Sequence, residues 1–288
     1  MILLDGKAVA QARQILLRQR IDEFKSKRGR PPGLAVVIVG EDPASQVYVK
    51  NKVKTTTALG MKSEHIELPA TTKEADLLKA IAKLNEDPAI DGILVQMPLP
   101  KGFDAERVLE SIRPEKDPDG LTSGNLGLLM AGKPRVSSCT PLGVMKILEH
   151  YKIETSGKRA CVVGRSNMVG KPMALLLQLA DATVTMCHSR TKDLASHTKQ
   201  AEIVVVAAGR EGLLGKNDFS QGAIVIDVGM HRPTSGPHAG KLRGDVRFEE
   251  LDGWVAAATP VPGGVGPMTI QMLMENTVTL AELRERKN

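Results

Sequence analysis

Brief runs of apolar and β-branched residues alternate along this chain with longer stretches whose apolar positions recur at helical spacing. Residues 34–40, 92–96, 160–164, 183–187, 203–207 and 223–228 form the first set. They are nearly continuous rather than alternating, which predicts parallel strands buried on both faces. Residues 8–25, 47–59, 73–84 and 173–179 form the second set and predict covering helices. The class is therefore α/β, built from β-α-β units.

Residues 113–141 interrupt this pattern. They are rich in Pro, Gly, Ser and Asp, with one short apolar break at 126–130, and a helical pattern over 142–151 follows. Such a stretch predicts a junction between two α/β domains, 1–140 and 141–268. The helical pattern that closes the chain, 269–288, is expected to pack back on the first domain. A length of 288 residues suits two domains better than one.

Composition narrows the function. Hydrophobic residues at 42% and charged residues at 25% are ordinary for a globular protein and exclude a disordered or fibrous chain. No apolar run approaches the ~20 residues of a membrane helix, so a cytoplasmic protein without membrane contact is expected. Cys139, Cys161 and Cys187 lack the spacing of a disulfide framework or a zinc site; buried free thiols and no metal are expected. A net charge of +6 leaves nucleic acid, anionic membrane or small anions open. Four Phe, two Tyr and one Trp are too few to interleave with basic residues as base-stacking platforms, which favours small anions over nucleic acid.

Two sets of residues carry candidate chemistry. After the strand at 160–164 comes Gly164-Arg165-Ser166-Asn167-Met168-Val169-Gly170-Lys171-Pro172, then a helix. Gly164 and Gly170 stand at the first and third glycine positions of a dinucleotide fingerprint, with Ser166 in place of the second; either a nucleotide turn or an ordinary strand-to-helix turn fits. The following strand ends in His188-Ser189-Arg190-Thr191. An NAD site ends that strand with an acid, whereas a hydroxyl and an arginine can bind a ribose phosphate, so the tip favours NADP unless it is only a solvated turn. His188 is given no proton-transfer role.

The other set starts at Asp42-Pro43, an N-cap and first-turn pair that places Ser45, Tyr48 and Lys52 on one helical face. A lysine there could lose its proton near neutral pH if it were partly desolvated and near other cations such as Lys50 and Lys54. A plain basic helix face is the alternative. Further on, a strand delivers Gln96 into Met97-Pro98-Leu99-Pro100, where open α/β sheets bind ligands. Asp117-Pro118-Asp119-Gly120 and the glycine-dense loop Thr259-Pro260-Val261-Pro262-Gly263-Gly264-Val265-Gly266-Pro267-Met268-Thr269 are two more candidates, each of which could instead only shape a turn.

In this order and spacing, Tyr48 with Lys52, the run 95–100, Asp119-Gly120, Gly164-Arg165-Ser166, Val225-Ile226-Asp227-Val228-Gly229 and the 260–269 loop resemble the bifunctional methylenetetrahydrofolate dehydrogenase/cyclohydrolase family over almost the whole chain. Met97 and Pro118 depart from the residues usual there, and neither removes a reactive group. The resemblance implies a folate-binding catalytic domain at 1–140, a Rossmann-like NADP domain at 141–268, and a cleft between them. It implies oxidation of 5,10-methylenetetrahydrofolate with NADP, then hydrolysis to 10-formyltetrahydrofolate. It further implies Lys52 as the cyclohydrolase acid–base residue, Tyr48 against the folate ring, Gln96 orienting the lysine, Asp119 on the pterin, and Ser45 in support. NADP would lie on Gly164, Arg165, Ser166 and Ser189 with the backbone near Met230. Pro98, Leu99, Pro262, Gly263, Gly264, Gly266 and Pro267 would flank the folate. A homodimer is implied as well.

Two rivals remain at this level. Short-chain dehydrogenases also use Ser, Tyr and Lys, but their glycines precede the catalytic helix, and here they follow it. A basic module that senses NADP and engages RNA would bind without turnover. No phosphate-loop Lys motif of a formyltetrahydrofolate ligase occurs in these residues.

Overall fold

A computed structural model describes residues 1–236 and 239–285. Among these, nine strands are β1 (Ile2–Leu3), β2 (Gly33–Val39), β3 (Lys62–Leu68), β4 (Gly92–Val95), β5 (Arg159–Val163), β6 (Thr183–Cys187), β7 (Ile203–Val206), β8 (Ile224–Asp227) and β9 (Ala257–Ala258). The α-helices are α1 (Gly6–Arg28), α2 (Pro43–Ala58), α3 (Glu74–Glu86), α4 (Ala105–Glu110), α5 (Ser123–Met130), α6 (Cys139–His150), α7 (Gly170–Leu179), α8 (Leu194–Lys199) and α9 (Val265–Glu285). None is long and apolar enough to cross a membrane.

The chain divides into two compact units, one of Arg13–Cys139 with Leu273–Asn288 and one of Met1–Ala12 with Thr140–Met272. The first holds a parallel sheet in the order β3-β2-β4. All seven residues of β2 are buried. Ala35, Val37, Ile93 and Val95 pack with Leu77 and Ile81 of α3 and Val108 of α4, the continuous apolar strands meeting an amphipathic helix as their patterns require.

The second unit holds a parallel sheet in the order β1-β9-β8-β7-β5-β6. Val163, Val204, Val206 and Val225 form its core with Phe219, Leu251 and Val255. Residues 1–12 fall here rather than with the residues that follow them, because Ile2 and Leu3 pair in parallel with Ala257 and Ala258 and extend the sheet by one strand.

One expected strand departs from double-sided burial, and one long strand was not expected at all. β6 is exposed at Thr183, Thr185 and Met186, because it ends its sheet and pairs only with β5. β3, with the sequence Lys-Ser-Glu-His-Ile-Glu-Leu, is a paired strand that its polar residues conceal; it too lies at an edge, where one side of the ladder faces water. Within 113–141, Thr122 caps α5, so the apolar break at 126–130 is part of a helix.

Asp91, fully buried, ties the start of β2 to α9 within the first unit. Its carboxylate accepts from Arg30 at 2.7 and 3.0 Å, from Arg284 at 2.8 Å and from the Gly33 amide at 2.9 Å. Removing one partner of a buried ion pair strands the others without compensation. Asp91→Ala is expected to lower stability by about 3 kcal/mol, read as a drop in the urea unfolding midpoint, with the wild-type midpoint as the contrary outcome.

Candidate active site

Both sheets change winding direction beside a central strand. From β2 the chain passes to β3 on one side and then to β4 on the other; from β5 it passes to β6 and then to β7. Such switch points leave a crevice at the carboxyl ends of the strands, where open α/β sheets bind ligands. Gln96 with its partner Lys52 lies at the first of these places and the Gly164 turn at the second.

In the first unit, Asp42 caps α2, accepting the Ser45 amide at 2.8 Å, and Pro43 opens the helix with its fixed φ. Ser45 is buried, and Tyr48 and Lys52 are half-buried on the same face. Gln96 follows β4, its amide continuing the ladder to the Val37 carbonyl at 2.8 Å. Its side-chain Nε2 donates to the Met97 carbonyl at 2.6 Å, which turns Oε1 toward Lys52, and Lys52 Nζ donates to that oxygen at 2.9 Å. A neutral acceptor positions the amine without holding its proton as a carboxylate would. Pro98 is exposed beyond this contact, Leu99 is half-buried, and the Met97–Pro98 peptide is cis.

Asp119 lies on a segment pinned on both sides. Asp117, buried, accepts the Thr122 amide at 2.8 Å and Asn125 Nδ2 at 3.0 Å. The Pro118 carbonyl accepts Asn276 Nδ2 at 2.8 Å and the Cys139 thiol at 3.2 Å. Burial pushes the Lys52 ammonium below the ordinary lysine range, while the charge of Asp119 pulls it back up. Burial likewise raises the Asp119 carboxyl, opposed by the charge of Lys52. Desolvation thus drives both partners toward their neutral forms, and mutual attraction resists. The depression does not come from Lys50 or Lys54, whose side chains are exposed to solvent. Cys139, its thiol raised well above the usual range by burial, is an un-ionised hydrogen-bonding neighbour of Asp119.

In the second unit, β5 ends at Gly164, whose φ of +144° suits glycine. A Cβ there would lie 2.3 Å from the Ala207 carbonyl oxygen, and one at Gly170 would lie 2.3 Å from the Gly164 oxygen. Strand and helix therefore approach as closely as a dinucleotide turn demands. Ser166, in the second-glycine position, accepts the Val169 amide at 3.1 Å, so its hydroxyl shapes the turn. Arg165 and Ser166 are exposed, as are Ser189 and Arg190 at the tip of β6. His188 builds that tip: its Nδ1 accepts the Arg190 amide at 3.2 Å, and its own amide donates to Thr191 Oγ1 at 2.9 Å. A close glycine turn flanked by exposed arginines and a serine fits a phosphorylated dinucleotide. Met230 follows β8, 45% exposed. The 260–269 loop also belongs to this unit: Gly264 donates to the Pro260 carbonyl at 2.9 Å and Gly263 accepts from the Lys7 amide at 3.1 Å. Pro262, after a second cis peptide, and Gly266 are exposed; Pro267 is half-buried.

Residues 4–119 match the tetrahydrofolate dehydrogenase/cyclohydrolase catalytic domain, and residues 138–285 match the NAD(P)-binding domain of the same family. The chain belongs to the tetrahydrofolate dehydrogenase/cyclohydrolase family. It is 59% identical to the bifunctional protein FolD of Bdellovibrio bacteriovorus over 99% of this chain and 98% of that one. The crystal structure of the FolD methylenetetrahydrofolate dehydrogenase/cyclohydrolase of Campylobacter jejuni superposes with a TM-score of 0.94 at 47% identity, covering 99% of each chain. The Trypanosoma brucei family enzyme, crystallised with NADP cofactor and an inhibitor, superposes with a TM-score of 0.93 at 40% identity, again over 99% of each.

Sequence reading passed over Cys139, Asn276 and Asp117 as members of the Lys52 and Asp119 surroundings. Asp117 stood in a quoted motif, but nothing local marks Asn276, which reaches Pro118 across 158 positions. For the glycine turn, Gly164→Ala is expected to weaken NADP binding at least tenfold, about the size of 1.4 kcal/mol, measured by calorimetric titration. Wild-type affinity would show that the close approach to Ala207 is not required.

Proposed function

We propose that Lys52 is the acid–base residue of the cyclohydrolase reaction, with Gln96 orienting its amine, Asp119 tuning its charge and binding the pterin, Tyr48 against the folate ring and Ser45 in support. As a member of its family the chain oxidises 5,10-methylenetetrahydrofolate to the 5,10-methenyl compound and hydrolyses that to 10-formyltetrahydrofolate, with NADP as cofactor. The observation that carries the assignment is the desolvated Lys52 amine 2.9 Å from a fixed neutral acceptor.

Bound NADP supplies the hydride acceptor of the oxidation. The chain's part in that step is placement: Gly164, Arg165, Ser166 and Ser189 with the backbone near Met230 hold the nucleotide, and Pro98, Leu99, Pro262, Gly263, Gly264, Gly266 and Pro267 border the folate. No side chain is required as a base there, because the nitrogen lone pair of the substrate drives the hydride out. Hydrolysis differs. Water adds to the methenyl carbon, Lys52 accepts one of its protons, and the carbon–nitrogen bond to N5 breaks as Lys52 returns that proton to the nitrogen. The remaining hydroxyl proton passes to solvent as the formyl carbonyl forms, so one proton is released overall.

A homodimer in a reducing compartment fits two further features. The outer edge of β6 carries an unpaired row of backbone groups. The Cys161 and Cys187 sulfurs lie 3.8 Å apart as buried free thiols.

Lys52→Met is expected to lower methenyl hydrolysis by about 10²–10⁴ while leaving NADP affinity unchanged, since general acid–base help is of that size; an unaffected hydrolysis rate in purified protein would end the assignment. The pH profile gives a second check. Because the free amine is the base, hydrolysis rises with pH through a midpoint below that of ordinary lysine. Asp119 raises the lysine, so Asp119→Asn should move that midpoint to lower pH. A shift to higher pH would contradict the coupling.

A further inference from the structure

Two buried carboxylates beside the β5 and β7 switch point take no part in the chemistry above. Asp227, at the end of β8, accepts the amides of Gly229 at 2.9 Å, Asp245 at 3.0 Å and Val246 at 3.0 Å. Asp245, fully buried, gathers a larger set. Its Oδ2 accepts the amides of Ala208 at 2.6 Å and Gly209 at 3.0 Å, and its Oδ1 accepts the amide of Arg210 at 2.9 Å. His231 Nε2 completes it, donating to Oδ1 at 2.7 Å. Gly244 makes room, since a Cβ there would fall 1.8 Å from Asp227 Oδ2.

Three successive amides converging on one point form a nest for an anion, and here a side chain of the protein fills it. The loop so gripped is the one that leaves β7 directly after Ala207, whose carbonyl oxygen is the atom that a Cβ on Gly164 would strike. Residues 208–210 therefore adjoin the glycine turn at the carboxyl end of the central strands. With the carboxylate in place, these three amides all turn inward and the loop has one shape. Without it, the three donors are unpaired and nothing holds the loop in that shape.

We propose that Asp245, steadied by His231, is a positioning residue for NADP: it fixes the 208–210 loop beside the Gly164 turn in the form that admits the dinucleotide. The proposal rests on the reading that this turn holds NADP. A residue that only stabilised the fold would change melting temperature and leave affinity alone, so three quantities separate the cases: NADP dissociation constant by calorimetry, deuterium uptake at amides 208–210, and melting temperature.

Asp245→Asn is expected to weaken NADP binding at least tenfold and speed exchange at 208–210, with methenyl hydrolysis within twofold of wild type. His231→Leu, which removes one donor from a half-buried position, should weaken binding severalfold, and His231→Gln, which keeps a donor, should restore it. If Asp245→Asn does not fold, His231→Leu decides alone. Unchanged affinity and exchange in the folded variants would overturn the positioning role while leaving the NADP reading intact. No NADP binding by the wild-type chain would overturn both.

Discussion

The reactivity assigned to this protein depends on the cost of keeping an ammonium ion out of water. Lys52 occupies a half-buried position at a switch point, and its nitrogen donates to an amide oxygen rather than to a carboxylate. Had Gln96 been glutamate, an ion pair would hold the proton and raise the amine. Had Lys52 been fully exposed, water would do the same. Asp119 supplies charge at a remove, enough to oppose desolvation without cancelling it. The pinned segment around Asp119 sets that distance, through Asp117, Asn276 and the Cys139 thiol.

The two units share one architectural device. In each, a central strand sends the chain first to one side and then to the other, and the gap at the carboxyl end of that strand is where open α/β sheets bind ligands. In one unit the gap is furnished by a helix face and an amide. In the other it is furnished by a glycine turn and by backbone held from behind by buried acids. Small-molecule chemistry needs side chains of defined reactivity, while a dinucleotide needs a backbone of defined shape, and the residues at the two gaps differ accordingly.

Much of this was readable in the residues themselves. Strands β2, β4, β5, β7 and β8 announced themselves as unbroken apolar runs, although the two-residue β9 inside the larger sheet was not among them, and Asp42-Pro43 marked the start of α2 to the residue. The edge strand β3 did not, because a half-solvated strand carries charges wherever they do no harm and its alternation is weak. Ser45, Tyr48 and Lys52 share a face by helical spacing alone, but their environment does not follow from spacing. Lys50 and Lys54 lie close in sequence and face water, whereas Asp119 acts on Lys52 from far along the chain. Asp245 was invisible for a related reason: its partners are backbone amides, and any residue can supply one of those.

The pairing of β1 with β9 carries a consequence for the order in which this protein can be made. Ile2 and Leu3 leave the ribosome long before their partners Ala257 and Ala258. Arg13 and Arg20 likewise await Glu275 and Glu282, and Pro118 awaits Asn276. Neither unit can finish assembling before α9 has been made. Both draw on α9, whose first turns belong to one unit and whose remainder belongs to the other, so a nascent chain stalled before α9 would hold two unfinished cores at once.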